Sequence, residues 1–205
     1  MRNLREDYLE LVDPADTVVI VLGGGRGDRL HPLTKDRAKP AVDFGGKYRL
    51  IDICLTNCLR SKMEKIFILT QYNSFSLNRH VWQTYAGEMP GSGFIDIITS
   101  DFLPKGKKRP QGTADALRQA LPYILYHNPK HVLVLNGDQL YRMDYRELLL
   151  HHEICEADIT VAGLYNTQDE IDERVLMRVD SDGRVHEFYA RPRRADKVER
   201  FRLDT

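Results

Sequence analysis

The sequence predicts an α/β fold, a mainly parallel sheet sandwiched by helices. Two observations predict it. Short unbroken apolar runs, Val18–Leu22, Ile66–Leu69 and Val132–Leu135, read as strands buried on both faces, and the first of them is dominated by β-branched residues. Between them lie segments whose apolar residues recur at helical spacing, and strands alternating with helices imply parallel pairing.

Taken in order, the chain opens with MRNLREDYLELVD, where Leu4, Tyr8 and Leu11 are spaced for a short amphipathic helix and no apolar core marks a signal peptide. Residues 1–16 read as an extension ahead of a domain spanning 17–205. After the first strand, Leu50–Leu59 carries a helical stripe of Ile51, Leu55, Cys58 and Leu59. Ile66–Leu69 is the second strand. Ser74 is placed to cap a helix carrying Leu77, Val81, Trp82 and Tyr85. Phe94–Ile98 reads as a strand and residues 104–112 as a loop. Thr113 begins, and is placed to cap, a helix with Leu117, Leu121 and Ile124. Val132–Leu135 is another buried strand. Asp144 and Glu147 form a capping-box pattern for a helix through Cys155. Ile159–Leu164 is a strand, and Met177–Tyr189 a hairpin around Ser181-Asp182-Gly183.

Composition narrows the function classes. The 205 residues are 42% hydrophobic and 29% charged, as in soluble globular proteins. Lys plus Arg and Asp plus Glu stand at 30 each, so no net charge draws the chain to nucleic acid or to a membrane. No apolar run approaches the roughly 20 residues of a membrane span. Cys54, Cys58 and Cys155 are too few for a disulfide framework, and a reducing cytoplasm is the expected location. Cys54 and Cys58 share a helix face and read as small buried apolar residues.

The chemistry concentrates after the first strand. Gly23-Gly24-Gly25-Arg26-Gly27 lets the backbone approach a ligand, and successive free N–H groups in such a loop form an anion site. Arg26, Arg29, Lys35, Arg37 and Lys39 follow. The alternative is a structural turn that happens to be basic. No Gly-Lys-Ser/Thr ending makes this a P-loop, and Asp28 breaks the dinucleotide pattern. Ligands of parallel sheets sit beyond the strands' carboxyl ends. Three stretches fall there and are predicted to converge: the glycine loop, Thr70-Gln71-Tyr72 and Asn136-Gly137-Asp138. Asp138 suits Mg²⁺, which takes one or two carboxylates plus phosphate oxygens; the alternative is a local turn aspartate. In Gln111-Gly112-Thr113-Ala114-Asp115-Ala116 the N–H groups of a helix start suit an anion or a base edge. Lys105, Lys107, Lys108 and Arg109 read as a solvated loop, the alternative being a patch for a polyanion.

These motifs carry a resemblance. Gly-Gly-Gly-x-Gly-x-Arg-Leu-x-Pro-Leu-Thr, Arg37-Ala38-Lys39-Pro40-Ala41-Val42 and Gly45-Gly46-Lys47-Tyr48-Arg49-Leu50-Ile51-Asp52-Ile53 resemble the sugar-nucleotide pyrophosphorylases, and within them the ADP-glucose pyrophosphorylases, or glucose-1-phosphate adenylyltransferases. Leu69 to Ser74, Leu77 to His80, Gln111 to Ala116 and Gly137 to Tyr145 continue it in order, from about Val18 to about Pro192. The resemblance implies a nucleotide-diphospho-sugar transferase (Rossmann-like) fold. It implies the reaction of ATP with glucose 1-phosphate to ADP-glucose and pyrophosphate, in glycogen- or starch-type glucan synthesis. Arg29, Lys39 and Asp138 match catalytic positions, Asp138 as the Mg²⁺ ligand and Lys39 near the phosphates or a regulatory site. Leu22, Gly23, Gly24, Gly25, Gly27, Asp28, Gln71, Gln111, Gly112 and Thr113 match nucleotide contacts. Pro110, Val175, Ala190 and Arg191 fall on the sugar-phosphate side. A cytoplasmic homo- or hetero-oligomer, a tetramer in the family, is implied, with no nucleic-acid or membrane partner. Family members continue with the rest of the domain and a C-terminal β-helix, so this chain reads as the N-terminal portion.

The departures cluster. Asp28 stands where the family has Thr or Ser. Arg109-Pro110 replaces an aromatic pair, Val175 a glycine, Ala190 a glutamate and Arg191 a lysine. They keep two alternatives open: a non-catalytic regulatory subunit of the same family, and a pyrophosphorylase for a different sugar phosphate.

Overall fold

A computed structural model describes residues 8–25, 27–85, 87, 91, 93–99, 110–165, 175–190 and 199–201. The chain divides into two compact units, Met1–Thr160 and Val161–Thr205.

The first unit is built on a four-stranded parallel sheet. β1 (Thr17–Leu22) is entered through a 3-10 turn, Pro14–Asp16, capped by Asp13, whose Oδ1 accepts from the Ala15 N–H at 2.9 Å. A two-residue hairpin, β2 (Asp43–Phe44) and β3 (Tyr48–Arg49), leads into α1 (Leu50–Arg60). β4 (Lys65–Thr70), α2 (Phe75–Tyr85), β5 (Phe94–Thr99), α3 (Thr113–Leu125), β6 (His131–Asn136) and α4 (Tyr145–Ile154) follow. The strand order is β5-β4-β1-β6, with every pairing parallel. The predicted alternation of strand and helix is therefore the observed one.

Successive β1 residues point to opposite faces, and each face has its own core. Val19 and Val21 pack with Ile66, Ile68, Leu133 and Leu135 under α1, α2 and α4, through Ile51, Cys54, Leu55, Cys58, Leu77, Val81, Tyr145 and Leu149. Val18 and Ile20 pack with Phe67, Leu69 and Ile98 under α3, through Ala120 and Ile124. Cys54 and Cys58 are free and buried, as read; the Cys54 hydrogen bond, then burial, push the Cys58 thiol up. Each fully buried Val, Ile or Leu contributes roughly 1.5–3 kcal/mol, so the doubly covered β1 is the mechanical centre of the unit.

Buried polar groups tie the helices together. Asp52 accepts from the Arg49 N–H at 2.8 Å, from the Tyr85 hydroxyl at 2.9 Å and lies 2.7 Å from His80 Nε2, linking α1 to α2. From the C-terminal half of α1 the Asn57 amide donates to the Tyr141 carbonyl, and Ser61 Oγ, at the helix's C-cap, accepts from the Tyr145 N–H. Those two bonds pin the stretch that runs from Asp138 into α4.

Several expectations change. Tyr8 and Leu11 are exposed while Leu9 and Val12 are buried, so the N-terminal apolar face is offset by one residue from the predicted stripe; Leu4 lies outside the described residues. Trp82 is 74% exposed, because α2 turns Leu77, Val81 and Tyr85 inward and Trp82 sits just off that face. Leu121 is likewise exposed, beside Ala120 and Ile124. Val132–Leu135 is not buried on both faces: Leu133 and Leu135 are covered, but Val132 and Val134 are 43% and 42% exposed, because α3 lies over β1, β4 and β5. Thr113 does not cap α3; Gly112 occupies the cap and Thr113 is the first helical residue. Asp144 caps α4, but through the Arg146 N–H at 3.1 Å. Ile159–Leu164 forms no strand, and Ile159 and Leu164 are exposed. Of the predicted loop 104–112, residues 104–109 lie outside the described residues.

The second unit holds the predicted hairpin, β7 (Val175–Val179) against β8 (Val185–Ala190). Asp180 organises its turn. Its Oδ1 accepts from the Asp182 and Arg184 N–H groups, and its Oδ2 lies 2.6 Å from His186, which holds its carboxyl below the usual range. Phe201, in a final 3-10 turn, stacks on Tyr189.

Candidate active site at the carboxyl edge of the sheet

Parallel register brings the three strand ends level. Leu22 stands opposite Leu69 on one side and Asn136 on the other. The Gly23 N–H donates to the Leu69 carbonyl at 2.8 Å, and the Gly137 N–H to the Leu22 carbonyl at 3.1 Å. The glycine loop, Gln71 and Asp138 therefore leave the sheet side by side, which is the convergence expected from the strand ends.

Position 137 leaves little room for a side chain. A Cβ there would stand 3.0 Å from Val21 Cγ1 and 3.3 Å from the Leu22 carbonyl, and 3.6 Å from Pro40. This close packing lets the 3-10 turn Lys39–Ala41 lie across the strand ends with Pro40 and Ala41 buried. Lys39 is thereby held beside Asp138, and Lys39 Nζ lies 2.8 Å from Asp138 Oδ2. Both side chains keep about a third of their surface exposed, 35% and 28%, so the pair is open to ligand. A half-exposed pair of this kind contributes about 0–1 kcal/mol to stability. Its significance is the placement of a cation and a carboxylate, from segments far apart in sequence, at one point.

Gly27 is the second constrained glycine. At φ 71° and ψ 26° it starts the 3-10 turn Asp28–Leu30, on which Asp28 and Arg29 are exposed. Its carbonyl accepts from the Leu30 N–H at 2.9 Å and from Thr34 Oγ1 at 2.8 Å. The following segment is latched to the end of β4: the Ala38 N–H donates to the Asn73 carbonyl at 3.0 Å, and the Asn73 amide to the Lys35 carbonyl at 3.2 Å. Arg37 is paired with Asp43 at 2.7 Å and belongs to this scaffold. Arg26 lies outside the described residues.

Gln71 joins the remaining nucleotide stretch to this corner, its Nε2 donating to the Pro110 carbonyl at 3.3 Å. Gln111, Gly112 and Thr113 are exposed at the start of α3. Asp115 reaches back to accept from the Gln111 N–H at 3.0 Å and also binds Arg118 and Gln119. The Gln111 N–H, then the Arg118 bond, hold the Asp115 carboxyl below its ordinary value. On the predicted sugar-phosphate side, Val175 and Ala190 are cross-strand partners at the open end of the β7–β8 hairpin, and Arg191 lies outside the described residues.

Four residues of this architecture carried no individual role in the sequence reading: Thr34, Asn73, Asp115 and Asp52. Asp115 had a usable signal, an acidic residue in the first turn after a glycine cap, and so did Asp52, the N3 acid that accepts from the Arg49 N–H. The bonds of Thr34 and Asn73, and those of Asp52 to His80 and Tyr85, cross 7 to 38 positions with no spacing rule to announce them.

Among the described residues no group of three or more His, Cys, Asp or Glu side chains is set to hold a metal by itself. The donor present is the Asp138 carboxylate beside the glycine loop. That fits Mg²⁺ brought with phosphate oxygens, which needs only one or two protein carboxylates. No helix among the described residues is long and apolar enough to cross a membrane. Compared with known protein families, residues 18–201 match the family described as nucleotidyl transferase.

Proposed function

For a chain that belongs to the nucleotidyl transferase family, and so carries a nucleotidyltransferase domain acting in general on a nucleoside triphosphate and a sugar phosphate, we propose the specific reaction of a glucose-1-phosphate adenylyltransferase. ATP and glucose 1-phosphate give ADP-glucose and pyrophosphate, for glucan synthesis in a reducing cytoplasm. The single observation that carries this reading is the Lys39–Asp138 pair beside the glycine loop at the sheet's carboxyl edge. The ordered motifs shared with the ADP-glucose pyrophosphorylases choose adenine and glucose.

In this reading a phosphate oxygen of glucose 1-phosphate attacks the α-phosphorus of ATP. The bond between that phosphorus and the bridging oxygen to the β-phosphorus breaks, and pyrophosphate leaves with the electron pair. Little covalent work falls to the protein; it aligns the two substrates and neutralises charge. The N–H groups of Gly24, Gly25 and Gly27 face the triphosphate, while Gly23, whose N–H is bonded to the Leu69 carbonyl, carries the loop out of β1. Arg29 and Lys39 are the cations that balance the leaving pyrophosphate. Gln71, Gln111, Gly112 and Thr113 contact the nucleoside. Pro110, Val175, Ala190 and Arg191 serve the sugar phosphate. Asp138 would hold Mg²⁺, which when bound supplies charge neutralisation on the phosphates. Assembly as a homo- or hetero-tetramer belongs to the same proposal, as does one nucleotidyltransferase domain over 17–205 after a 16-residue extension.

Pyrophosphate release from ATP and glucose 1-phosphate tests the reading, with other nucleoside triphosphates and hexose 1-phosphates assayed in parallel. Turnover fastest with a different sugar phosphate would replace glucose. The second reading, a non-catalytic regulatory subunit, is favoured by one observation: the hairpin end carries Val175 and Ala190 where a sugar site uses glycine and a carboxylate. It requires no turnover alone and stimulation of an active partner chain.

A further inference from the structure

We propose that Thr34 is a positioning residue that sets Arg29 and Lys39 together; the inference rests on the assignment of those two cations to the triphosphate. The Gly27 carbonyl has two acceptor sites. One is taken by the Leu30 N–H, the bond that closes the turn carrying Arg29, and the other by Thr34 Oγ1 at 2.8 Å. Thr34 is only 6% exposed, so water does not stand in for its hydroxyl. The same side chain restricts position 27 to glycine: a Cβ there would stand 2.9 Å from Thr34 Cγ2 and 3.1 Å from Lys39 Cβ. Thr34 and the stem of Lys39 together fill the space beside Gly27. A shift of Gly27 tilts the Asp28–Leu30 turn and releases the Lys39 stem in one movement. Thr34 is too buried to reach a triphosphate, so it acts through the two cations.

The test compares T34V, which keeps the shape and removes the hydroxyl, with T34S, which keeps the hydroxyl. Misaligning charge that must meet a transition state costs rate steeply, so T34V is expected to lower kcat by about tenfold or more. KM for the sugar phosphate should move by less than about twofold, and T34S should stay within about threefold of the parent chain. In an R29K background T34V should cost less than about twofold more, because residues acting as a unit are non-additive. An equal loss from T34V in both backgrounds, or T34S as slow as T34V, overturns the inference and leaves Thr34 a packing residue. If the parent chain releases no pyrophosphate with any substrate pair, the functional reading fails. Thr34 is then judged by calorimetry with inorganic pyrophosphate. Affinity weakened in T34V and kept in T34S supports it; unchanged affinity in T34V overturns it.

Discussion

The two ends of the same sheet are built differently. At the carboxyl end the chain leaves β1 and β6 through glycine, folds a second segment over the strand ends, and sets Lys39 against Asp138 in a half-open position. At the amino end it enters β1 from a capped 3-10 turn, and the charges beside it quench one another. Glu153 pairs with Lys130 and His131 at the rim of a cleft of about 410 Å³ lined also by Leu11, Val12, Asp13, Asp16, Leu150 and Ile154. The Lys130 bond holds the Glu153 carboxyl down, and burial pushes the His131 imidazole down, opposed in part by Glu153. A salt bridge at a strand end therefore does not by itself mark function. What separates the ends is whether the backbone allows close approach, and glycine decides that.

The contrast is broken most forcefully by D138A. Removing the carboxylate is expected to cut kcat by about 10²–10³, the scale of losing one electrostatic contact at a reacting phosphate. Thermal melting should stay within a few degrees; a collapse of the melt with intact activity per folded molecule would make Asp138 structural. G137A comes next and attacks the edge through packing alone. Its Cβ meets Val21 and the Leu22 carbonyl, so a loss of about 1–3 kcal/mol in chemical denaturation is expected, with reduced activity as the Lys39 turn is pushed away. Full stability would show that the strand ends yield.

Asp144 sharpens the comparison from between the ends, at the start of α4. The Arg146 side-chain bond holds its carboxyl below the ordinary 3.8. A depressed folded-state value stabilises above the unfolded value and is lost as pH falls through the folded one. D144A should cost about 0.5–2 kcal/mol at neutral pH, and the gap to the parent chain should narrow below about pH 4. A gap that is constant with pH would exclude the charge contribution. The smallest effect is expected at the amino end, where E153Q should leave kcat/KM unchanged and the melt nearly so. A substantial loss of activity there would dissolve the distinction drawn between the two ends.

Much of this architecture was legible beforehand, for a local reason. An unbroken apolar run such as Val18–Leu22 states its own burial, and Gly137-Asp138 after an apolar run states its place at a strand end. The 3.6-residue stripe of α1 was equally plain. What was illegible depends on neighbours. Val132 and Val134 are apolar and β-branched like Val18 and Ile20, yet nothing in the run records that α3 passes over one strand and not the other. The strand expected at Ile159–Leu164 had the right residues, but no strand forms over them. Trp82 reads as one of the helix's apolar residues with Leu77, Val81 and Tyr85, while the turn of α2 carries it out. The Lys39–Asp138 pair became visible only once β1 and β6 were in register.

That register has a consequence for how the molecule comes into being. β1 lies inside the sheet, yet of that sheet's four strands it leaves the ribosome first. Its partner β4 follows some fifty residues later, and β6 more than a hundred residues later. Until β6 arrives, one edge of TVVIVL stays unpaired, with the β-branched, uncharged character of a segment that associates with copies of itself. Long-range parallel pairing is also slow to form. The strand that holds the finished site together is thus the one most dependent on a shielded, timely birth, and the speed of synthesis between codons 22 and 136 becomes part of its folding chemistry.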